Sequence, residues 1–428
     1  VMIKIYDMET LEEREILFRG GSGADVSAPV AEILRAVQER GDAALREYSL
    51  RFDGAAPDAL AVTAEEVDQA AAQVEPAFLA VLEEAAEHIR AYHARQKRES
   101  FVMTEREGVV LGQRIIPLAR VGIYVPGGTA AYPSTVLMNA IPARIAGVGE
   151  IIMVTPPGRD GAVNPHILAA AKIAGVTRIY KVGGAQAVAA LAYGTGTIPQ
   201  VDKIVGPGNA YVAEAKRQVF GRVNIDMIAG PSEVLVLADG RSNPAWVAAD
   251  LLSQAEHDRM AAAVLVTDSR PLAEAVAHEL ERQLAALPRA EIARASLEAN
   301  GKLIVCRDLR EGIAVANRIA PEHLELCVDS PFDYLGEIQN AGSVFLGRYN
   351  PEPMGDYFAG PNHTLPTMGT ARFYSPLSVD DFVKKSQFSY YTRDALARDY
   401  RKVSLFARKE GLDAHARAVD IRFEGGEA

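Results

Sequence analysis

From about residue 109 the sequence alternates short runs of β-branched and aliphatic residues with Ala-rich segments, and this alternation limits the fold most strongly. The runs are RVGIYV, EIIMVT, RIYKVG, DKIVG, EVLVLAD, AAVLVTD, KLIVC, LELCV and SVFLG. Each has the length and composition of a buried strand, and the segments between them are long enough for helical crossovers. The pattern therefore predicts an α/β fold with largely parallel, doubly wound sheets.

The strands fall into two groups on either side of the segment MIAGPSE, so we expect two Rossmann-like domains with incomplete parallel sheets. Apolar residues spaced by three and four predict a helical N-terminal flank, and the charged end of the chain predicts a helical C-terminal tail. The tail is too short for a core of its own and should dock on a partner subunit. The expected divisions are an N-terminal segment at 1–25, one α/β domain formed by 26–120 and 232–377, a second α/β domain at 121–231, and the tail at 378–428.

Composition narrows the class of function. The 428 residues are 49% hydrophobic and 24% charged, with a formal net charge of −11, which excludes a protein that binds nucleic acid through its phosphates. No apolar stretch reaches the roughly 20 residues needed to span a bilayer, and the start VMIKIYDMETLEERE has no signal-peptide pattern. We expect a cytoplasmic enzyme with a small-molecule substrate and no membrane or nucleic-acid partner.

The two cysteines, Cys306 in KLIVC and Cys327 in LELCV, both lie in apolar runs of strand character. They exclude a disulfide framework and a Cys-rich zinc site. A buried, protonated thiol is also a poor nucleophile, so we expect Cys327 to take no covalent part in an aldehyde oxidation.

The segment LLSQAEHD places Gln254 and His257 three residues apart near the end of an apolar helix. Residues at this spacing project from one face, so a side-chain oxygen and an imidazole nitrogen can converge on one cation. Helices that end with a Gln and a His on the surface are common, however, and Gln is a poor zinc ligand. This segment alone leaves both interpretations open.

Glu322 and His323 in IAPEHLELCV stand at the entrance to a buried strand. Rigid neighbours hold a residue in such a place, which suits general acid or base catalysis. The alternative is that the pair caps a neighbouring helix or sheet.

Two further segments carry a carboxylate with an imidazole. Asp356 and His363 lie in the Pro- and Gly-rich stretch YNPEPMGDYFAGPNHTLPT, and Glu410 and His415 lie in KEGLDAHARAV in the tail. Loops on α/β scaffolds often carry function, so the first pair could contact a ligand or be part of an ordinary irregular loop. By pattern alone, the second pair is typical of a solvated helix face.

Three glycine turns follow predicted strands, in YVPGGTA, VGGAQAVAAL and VGPGNAYVAEAKRQ. Two of them lead directly into Ala-rich helices, whose N-terminal N–H groups could bind a pyrophosphate. Turns of this kind serve close helix packing equally often, and no G-x-G-x-x-G follows a strand.

The joint occurrence of these segments is more informative than any one of them, because their order and spacing closely resemble histidinol dehydrogenase over nearly the whole chain. The segments that carry the resemblance are VGIYVPGGTAAYPSTVLMNAIPA, VGGAQAVAALAYGT, DKIVGPGNAYVAEAKRQV, AGPSEVLVLAD, DLLSQAEHD, ANRIAPEHLEL, GDYFAGPNHTLPT and EGLDAHARAV.

The resemblance implies a zinc-dependent oxidoreductase that converts L-histidinol to L-histidine through L-histidinaldehyde with two NAD, as the last step of histidine biosynthesis. It implies an NAD-binding domain at 121–231, a substrate and zinc domain at 26–120 and 232–377, and a homodimer with shared active sites. The implied zinc ligands, which also contact substrate, are Gln254, His257, Asp356 and His415. The implied acid/base residues are Glu322 and His323, further substrate contacts are Ser232, His323, His363 and Glu410, and NAD contacts are Tyr124, Gln186 and Asn209.

Two other classes of function use some of the same residues. A zinc hydrolase could use the same ligands with Glu322 as the group that activates water, but it leaves the glycine turns and one α/β domain unexplained. A two-lobed, metal-dependent binding protein would bind a small molecule without turnover, and Glu322 and His323 would then have no role. Formation of NADH from histidinol distinguishes the dehydrogenase from both.

Overall fold

A computed structural model of the chain describes residues 3–17, 25–55, 57–127 and 131–424. The chain divides into two compact units. The first unit is made of Val1–Lys97 and Leu118–Phe382, and the second of Arg98–Pro117 and Val383–Ala428. Among the described residues, no helix combines the length and apolar character needed to cross a bilayer.

The structure has α/β composition, as predicted. Its strands are β1 Lys4–Asp7, β2 Phe101–Met103, β3 Val109–Pro117, β4 Arg120–Tyr124, β5 Glu150–Thr155, β6 Arg178–Lys181, β7 Lys203–Val205, β8 Asn224–Ile225, β9 Glu233–Ala238, β10 Ala262–Thr267, β11 Lys302–Val305, β12 His323–Cys327, β13 Ser343–Leu346 and β14 Val383–Tyr391. Its helices are α1 Glu13–Leu17, α2 Ser27–Arg40, α3 Asp42–Phe52, α4 Ala64–Gln73, α5 Pro76–Ala94, α6 Pro133–Ala146, α7 Pro165–Ala174, α8 Gly184–Tyr193, α9 Ala210–Val219, α10 Pro244–Ala255, α11 Arg270–Leu284, α12 Ala290–Asn300, α13 Leu309–Ile319, α14 Phe332–Leu335, α15 Glu352–Tyr357, α16 Arg393–Lys409 and α17 Asp413–Asp420.

Local sequence signals set where many of these helices begin. Proline occupies the first turn of α5, α6, α7, α10 and α11, where its missing N–H is not needed. Helix α4 begins with a capping box, in which Thr63 and Glu66 each accept a hydrogen bond from the other's backbone N–H. These signals place the helices at defined points between the strands.

All nine runs predicted as strands are strands, and they form two parallel sheets in the first unit. The first sheet has the order β6-β5-β4-β7-β8, and the second has the order β1-β11-β10-β9-β12-β13. If β1 is set aside, the two sheets follow the same plan, in which the first strand of each lies between the second and the fourth. This is the strand order of a dinucleotide-binding sheet that lacks its sixth strand. Two incomplete Rossmann-like sheets are therefore confirmed.

The helical flank packs differently from the expected grouping of residues 26–120 with residues 232–377. Helices α2 and α3 share a hydrophobic core with β4, β5, β6, α8 and α9 of the first sheet. Residues 60–62 also run beside β6, where the Lys181 N–H donates to the Leu60 carbonyl over 2.7 Å and the Val62 N–H to the Ile179 carbonyl over 2.9 Å. The flank therefore covers the first sheet, because its apolar face meets the Ala-rich helices there.

The second unit shows where the predicted helical tail was wrong. Val383–Tyr391 forms the strand β14, which pairs antiparallel with β3 from Val383 opposite Pro117 to Tyr391 opposite Val109. The strand β2 completes this three-stranded sheet, and α16 and α17 follow as predicted helices. The aromatic residues at the end of VKKSQFSYY favour a strand, but the segment lacks a regular alternation of apolar and polar residues and leads into helical sequence, so the signal is weak.

Candidate active site

His323 stands at the centre of a group of ionisable side chains at the amino end of the second sheet. It is the first residue of β12, and its ring is 4% exposed. Its Nδ1 lies 3.0 Å from the backbone carbonyl oxygen of Glu233, the first residue of β9. Because a carbonyl only accepts, Nδ1 carries the proton in this contact and Nε2 is the ring nitrogen left for chemistry.

Two carboxylates face that nitrogen. Nε2 of His323 lies 3.6 Å from Oε1 of Glu352 and 3.7 Å from Oδ1 of Asp356, and it has no hydrogen-bond partner among the described residues. Burial acts to lower the pKa of His323, but Glu322, Asp356 and Glu352 together raise it to about 10. His323 and Asp356 attract each other, and this contact holds the pKa of Asp356 below its ordinary value against the opposing effect of burial.

Glu322 precedes His323 and is buried beside it. Its Oε2 lies 3.7 Å from Nδ1 of His323 and accepts a hydrogen bond of 2.8 Å from the Glu233 N–H. Burial raises the pKa of Glu322 to about 7, which makes this carboxyl group able to exchange a proton near neutral pH.

A sharp turn delivers Glu322 to this place. Helix α13 ends at Ile319 and is followed by Ala320, a buried residue with φ of 52°, a left-handed conformation that residues other than glycine seldom adopt. Pro321 follows and cannot continue the helix. Strain of this kind is concentrated at functional sites, and here it directs the chain straight into β12.

Asp356 is carried by the short helix α15, which begins with Glu352. The helix lies close to β13, since a Cβ on Gly355 would meet the ring of Phe345 at 2.5 Å. The same helix holds Glu352, which the sequence analysis missed. Its spacing of four residues from Asp356 places both carboxylates on one helix face, and that spacing was a usable signal.

His363 joins the cluster from the loop after α15. Its Nδ1 lies 3.0 Å from the Asp356 carbonyl oxygen and 3.9 Å from Oδ1 of Asp356, and its Nε2 lies 3.4 Å from Oγ1 of Thr135 on α6. His363 therefore contacts both Asp356 on α15 and Thr135 on α6.

Gln254 and His257 lie at the end of α10, as predicted. Gln254 is 1% exposed, and its Oε1 has no hydrogen-bond partner among the described residues. Burial lowers the pKa of His257. The nearby Asp356 raises it in part, and His323 lowers it further. These interactions place the His257 ring in the electrostatic field of the cluster, and the buried amide oxygen of Gln254 lacks the partner that its burial requires.

Ser232 directly precedes β9 and is half-buried. Its carbonyl oxygen accepts a 3.0 Å hydrogen bond from the Ala262 N–H. Ser232 is therefore next to Glu233, whose backbone positions both Glu322 and His323.

The three residues predicted to contact NAD line one cleft of about 1500 Å³ at the carboxyl ends of β4, β6 and β7. The Tyr124 hydroxyl accepts a 3.0 Å hydrogen bond from the Gly184 N–H, and burial raises the pKa of Tyr124 to about 12. Gln186 is 1% exposed, with neither side-chain polar atom hydrogen-bonded among the described residues. Asn209 caps α9 through Oδ1, which accepts from the N–H groups of Tyr211 and Val212, so its NH₂ group remains available to a ligand.

Glu410 and His415 belong to the second unit, where both are exposed. They lie in a groove between α16 and α17 whose other lining residues are mostly apolar. The lining residues are Lys402, Val403, Phe406, Ala407, Glu410, Leu412, Ala414, His415, Ala418 and Val419.

The two cysteines are buried, as predicted. Burial raises the pKa of Cys306 to about 12 and raises that of Cys327 beyond the range of an ordinary thiol. Both groups are therefore protonated at neutral pH.

Comparison with known proteins gives one consistent result. The sequence model of the family described as histidinol dehydrogenase matches residues 19–423. Curated proteins named histidinol dehydrogenase from Listeria monocytogenes serotype 4b and Geobacillus kaustophilus are 54% identical over 416 residues and 58% identical over 398 residues. The alignments cover 97% of both chains in the first case, and 93% of this chain and 94% of the relative in the second. A crystal structure of histidinol dehydrogenase from Elizabethkingia anophelis superimposes with a TM-score of 0.94 at 40% identity, covering 99% of this chain and 98% of that one.

Proposed function

The chain belongs to the histidinol dehydrogenase family, and on that premise we propose that it oxidises L-histidinol to L-histidine through L-histidinaldehyde, with zinc and two NAD, as the last step of histidine biosynthesis. An oxidoreductase acting on histidinol follows from the family itself, which sets aside the hydrolase and the binding protein. The zinc dependence, the two successive steps and the residue roles are our proposal. The observation that carries it is the buried His323, whose Nε2 lies beside two acidic side chains and has no hydrogen-bond partner in the part of the chain that the structure describes.

Gln254, His257, Asp356 and His415 would hold the zinc ion. The buried Oε1 of Gln254 without a partner supports this, because such an oxygen costs about 1–3 kcal/mol unless something binds it. One amide oxygen, one carboxylate and two imidazoles form a donor set that suits zinc. When bound, the ion would supply a fixed positive charge that orients the nitrogen atoms of histidinol.

His323 is the proposed base for the alcohol. With Nδ1 donating to the Glu233 carbonyl, the neutral ring presents a lone pair at Nε2. This nitrogen takes the proton of the hydroxyl group while a hydride leaves the carbon that bears that hydroxyl and passes to NAD. Without a compensating cation, the neighbouring acidic groups raise the pKa of His323 to about 10, so the ring is protonated at neutral pH. A cation held by Asp356 would counter their field and lower the pKa of His323 toward the range in which it acts as a base.

Glu322 is the proposed base for the second half-reaction, in which water adds to the aldehyde before a second hydride is removed. Its pKa of about 7 means that a large fraction of the carboxyl is ionised at neutral pH and can take a proton from water. It lies beside His323, so the two bases can serve one reacting carbon in turn.

The cleft with Tyr124, Gln186 and Asn209 is the proposed NAD site, and residues 121–231 the proposed NAD-binding domain. Its place at the carboxyl ends of the strands agrees with the general rule for open parallel sheets. When bound, NAD would accept the hydride. The unpartnered amide of Gln186 can both donate to and accept from the dinucleotide. The cytoplasmic location expected from the sequence remains a prediction.

We further propose a homodimer in which the second unit of each chain completes the site of its partner. Glu410 and His415 sit among exposed apolar residues, a surface that a second copy of this chain would cover. His257→Asn and His415→Asn homodimers should each be nearly inactive. Mixed dimers should contain one intact site, so random exchange of equal amounts should restore about a quarter of the activity. No recovery after proven subunit exchange would contradict the shared site.

Chelation tests the zinc dependence. The protein should lose NADH formation from histidinol after dialysis against a chelator and regain it on addition of zinc, while its circular dichroism spectrum stays unchanged. Full activity in protein that elemental analysis shows to be metal-free would overturn the zinc proposal without touching the family assignment.

A further inference from the structure

Asp53, a carboxylate outside the proposed catalytic, zinc-binding and NAD-contact residues, lies in the wall of the cleft that contains Tyr124 and Gln186. Asp53 follows the last residue of α3, and its Oδ2 is buried without a hydrogen-bond partner among the described residues. Removal from water raises the pKa of Asp53 to about 6, so the group is mostly ionised at neutral pH. A negative charge is also unfavourable at the C-terminal end of a helix. Asp53 is therefore in a position that the fold alone does not favour.

The first sheet lacks an acidic residue at the place where dinucleotide-binding sheets usually have one. In those sheets an Asp or Glu near the end of the second strand binds the ribose hydroxyl groups. The second strand here is β5, and it ends in Thr155, followed by Pro156 and Pro157. None of these side chains can replace a carboxylate.

Asp53 lies at the corresponding corner of the cleft. Its charge acts on Tyr124, at the end of β4, and the Tyr124 hydroxyl is bonded to the Gly184 N–H just after β6. A Cβ on the adjacent Gly183 would meet Pro156, just after β5, at 2.6 Å. Asp53 is thus close to the ends of the first three strands, which form the half of a dinucleotide fold that holds adenosine.

We propose that Asp53 binds the ribose hydroxyl groups of the adenosine half of NAD and thereby makes the cleft select NAD over NADP. This assignment rests on the proposed use of NAD. The two carboxylate oxygens match the two donors of a vicinal diol, and a partner for Oδ2 would remove the cost of its burial. A phosphate on the 2′ oxygen would both remove a donor and bring a second negative charge against Asp53.

Other carboxylates in the cleft are less suited to this role. Asp160 accepts a 3.0 Å hydrogen bond from the Ala162 N–H in its own loop, and Glu66 is engaged by Thr63 and Lys181. Glu32 is exposed on α2 and provides a matched control, because Glu32→Gln removes one negative charge from the same wall.

Isothermal titration of the zinc-loaded protein without histidinol tests the proposal. The ligands are NAD, NADP and the NAD analogue that lacks the 2′-hydroxyl of the adenosine ribose. Wild type should bind the analogue on the order of 10-fold more weakly than NAD, which corresponds to one hydrogen bond to a charged group. Asp53→Asn should bind NAD on the order of 10-fold more weakly, lose little more with the analogue, and prefer NAD over NADP less than wild type does. Glu32→Gln should behave as wild type.

Equal affinity of wild type for NAD and for the analogue would overturn the assignment, and this result needs no variant. Unchanged NAD affinity in Asp53→Asn would also overturn it. Failure of wild type to bind NAD at all would contradict the proposed function itself, and the assignment of Asp53 with it.

Discussion

Apart from β1, the two parallel sheets of the first unit share one strand order, but their candidate functional residues lie at opposite ends of the strands. We call the side of a sheet at which its parallel strands end the carboxyl edge, and the side at which they begin the amino edge. In the first sheet, Tyr124, Gln186 and Asn209 line a cleft at the carboxyl edge. In the second sheet, Glu322 and His323 lie at the amino edge, where His323 is the first residue of β12. Strand order therefore does not decide by itself which edge of a sheet becomes a site.

The carboxyl edge of the second sheet shows what occupies the equivalent position there. Arg348, just after β13, contacts both carboxylate oxygens of Asp239 at 2.6 Å and Oδ1 of Asp329 at 2.5 Å. Asp239 and Asp329 follow β9 and β12, the two strands between which the order reverses. An ion-pair network therefore occupies the place in the second sheet at which open parallel sheets usually bind their ligands.

The largest effect should come from His323 at the amino edge. His323→Asn should reduce kcat for histidinol by about 10²- to 10⁴-fold, because the alcohol loses its base. Stopped-flow detection of NADH measures this change. His278→Asn, an exposed histidine on α11, is the control and should leave kcat unchanged. A loss of less than about 5-fold in His323→Asn would exclude general-base catalysis by this residue.

Glu322 should separate the two half-reactions. Glu322→Gln keeps the shape of the side chain and an oxygen that can accept from the Glu233 N–H, but it removes the base. Oxidation of histidinaldehyde should slow by about 10²- to 10⁴-fold, and oxidation of histidinol much less. Equal small effects on both substrates would show that Glu322 only positions its neighbours.

Substitution of Arg348 tests whether the ion pairs at the carboxyl edge of the second sheet stabilise the fold without taking part in catalysis. Arg348→Met leaves Asp239 without its cation in a largely buried place and should lower the free energy of unfolding by about 2–3 kcal/mol, with kcat per folded molecule unchanged. Arg241→Met removes another, exposed partner of Asp329 and should cost less than about 1 kcal/mol. Urea unfolding measures both values. A loss of kcat without a loss of stability would reverse our interpretation of this edge.

Gln186 tests the open carboxyl edge of the first sheet. Gln186→Met removes a buried amide that has no partner in the described structure, so the protein without ligand should become more stable by about 1 kcal/mol. The affinity for NAD should fall on the order of 10-fold. Thermal unfolding with and without NAD measures both changes. A decrease in stability without ligand would show that the amide has a structural partner.

The smallest effect concerns Glu325, a buried residue of β12 whose Oε1 accepts a 2.8 Å hydrogen bond from the Glu352 N–H. Burial and then Asp250 raise the pKa of Glu325 above its ordinary value of 4.5. The unfolded chain ionises above that pH while the folded protein keeps the proton, so stability should fall as pH rises from about 4.5 into the alkaline range. Glu325→Gln should reduce the loss between pH 5.5 and 6.5 by about 1 kcal/mol, measured by urea unfolding at the two pH values. The same pH dependence in both proteins would show that Glu325 is already ionised when folded.

The sequence predicted most strands of the parallel sheets because they are short, mainly β-branched or aliphatic runs separated by helical segments. It missed β14, an exposed strand that begins with two adjacent lysines after its first residue and has no apolar run. It also grouped the helices of 26–120 with the wrong sheet, because amphipathic periodicity shows that a helix has an apolar face but not what that face meets.

Among the candidate site residues, pattern alone assigned no pair a definite functional role, and the resemblance supplied the roles. Glu352 could have been found from its helical spacing to Asp356. Asp53 had no such signal, because it comes from a helix distant in sequence from the glycine turns, and only the packing of α3 on the first sheet places it beside Tyr124.

The central claim is that dinucleotide binding belongs to the carboxyl edge of the first sheet and proton transfer to the amino edge of the second. The most direct measurement is isothermal titration of NAD into zinc-loaded wild type, Gln186→Met and His323→Asn, followed by single-turnover oxidation of histidinol at saturating NAD in each. Our account predicts that Gln186→Met loses NAD affinity but keeps its single-turnover rate at saturation, and that His323→Asn keeps its NAD affinity but loses that rate. Loss of NAD affinity in His323→Asn together with unchanged affinity in Gln186→Met would contradict it.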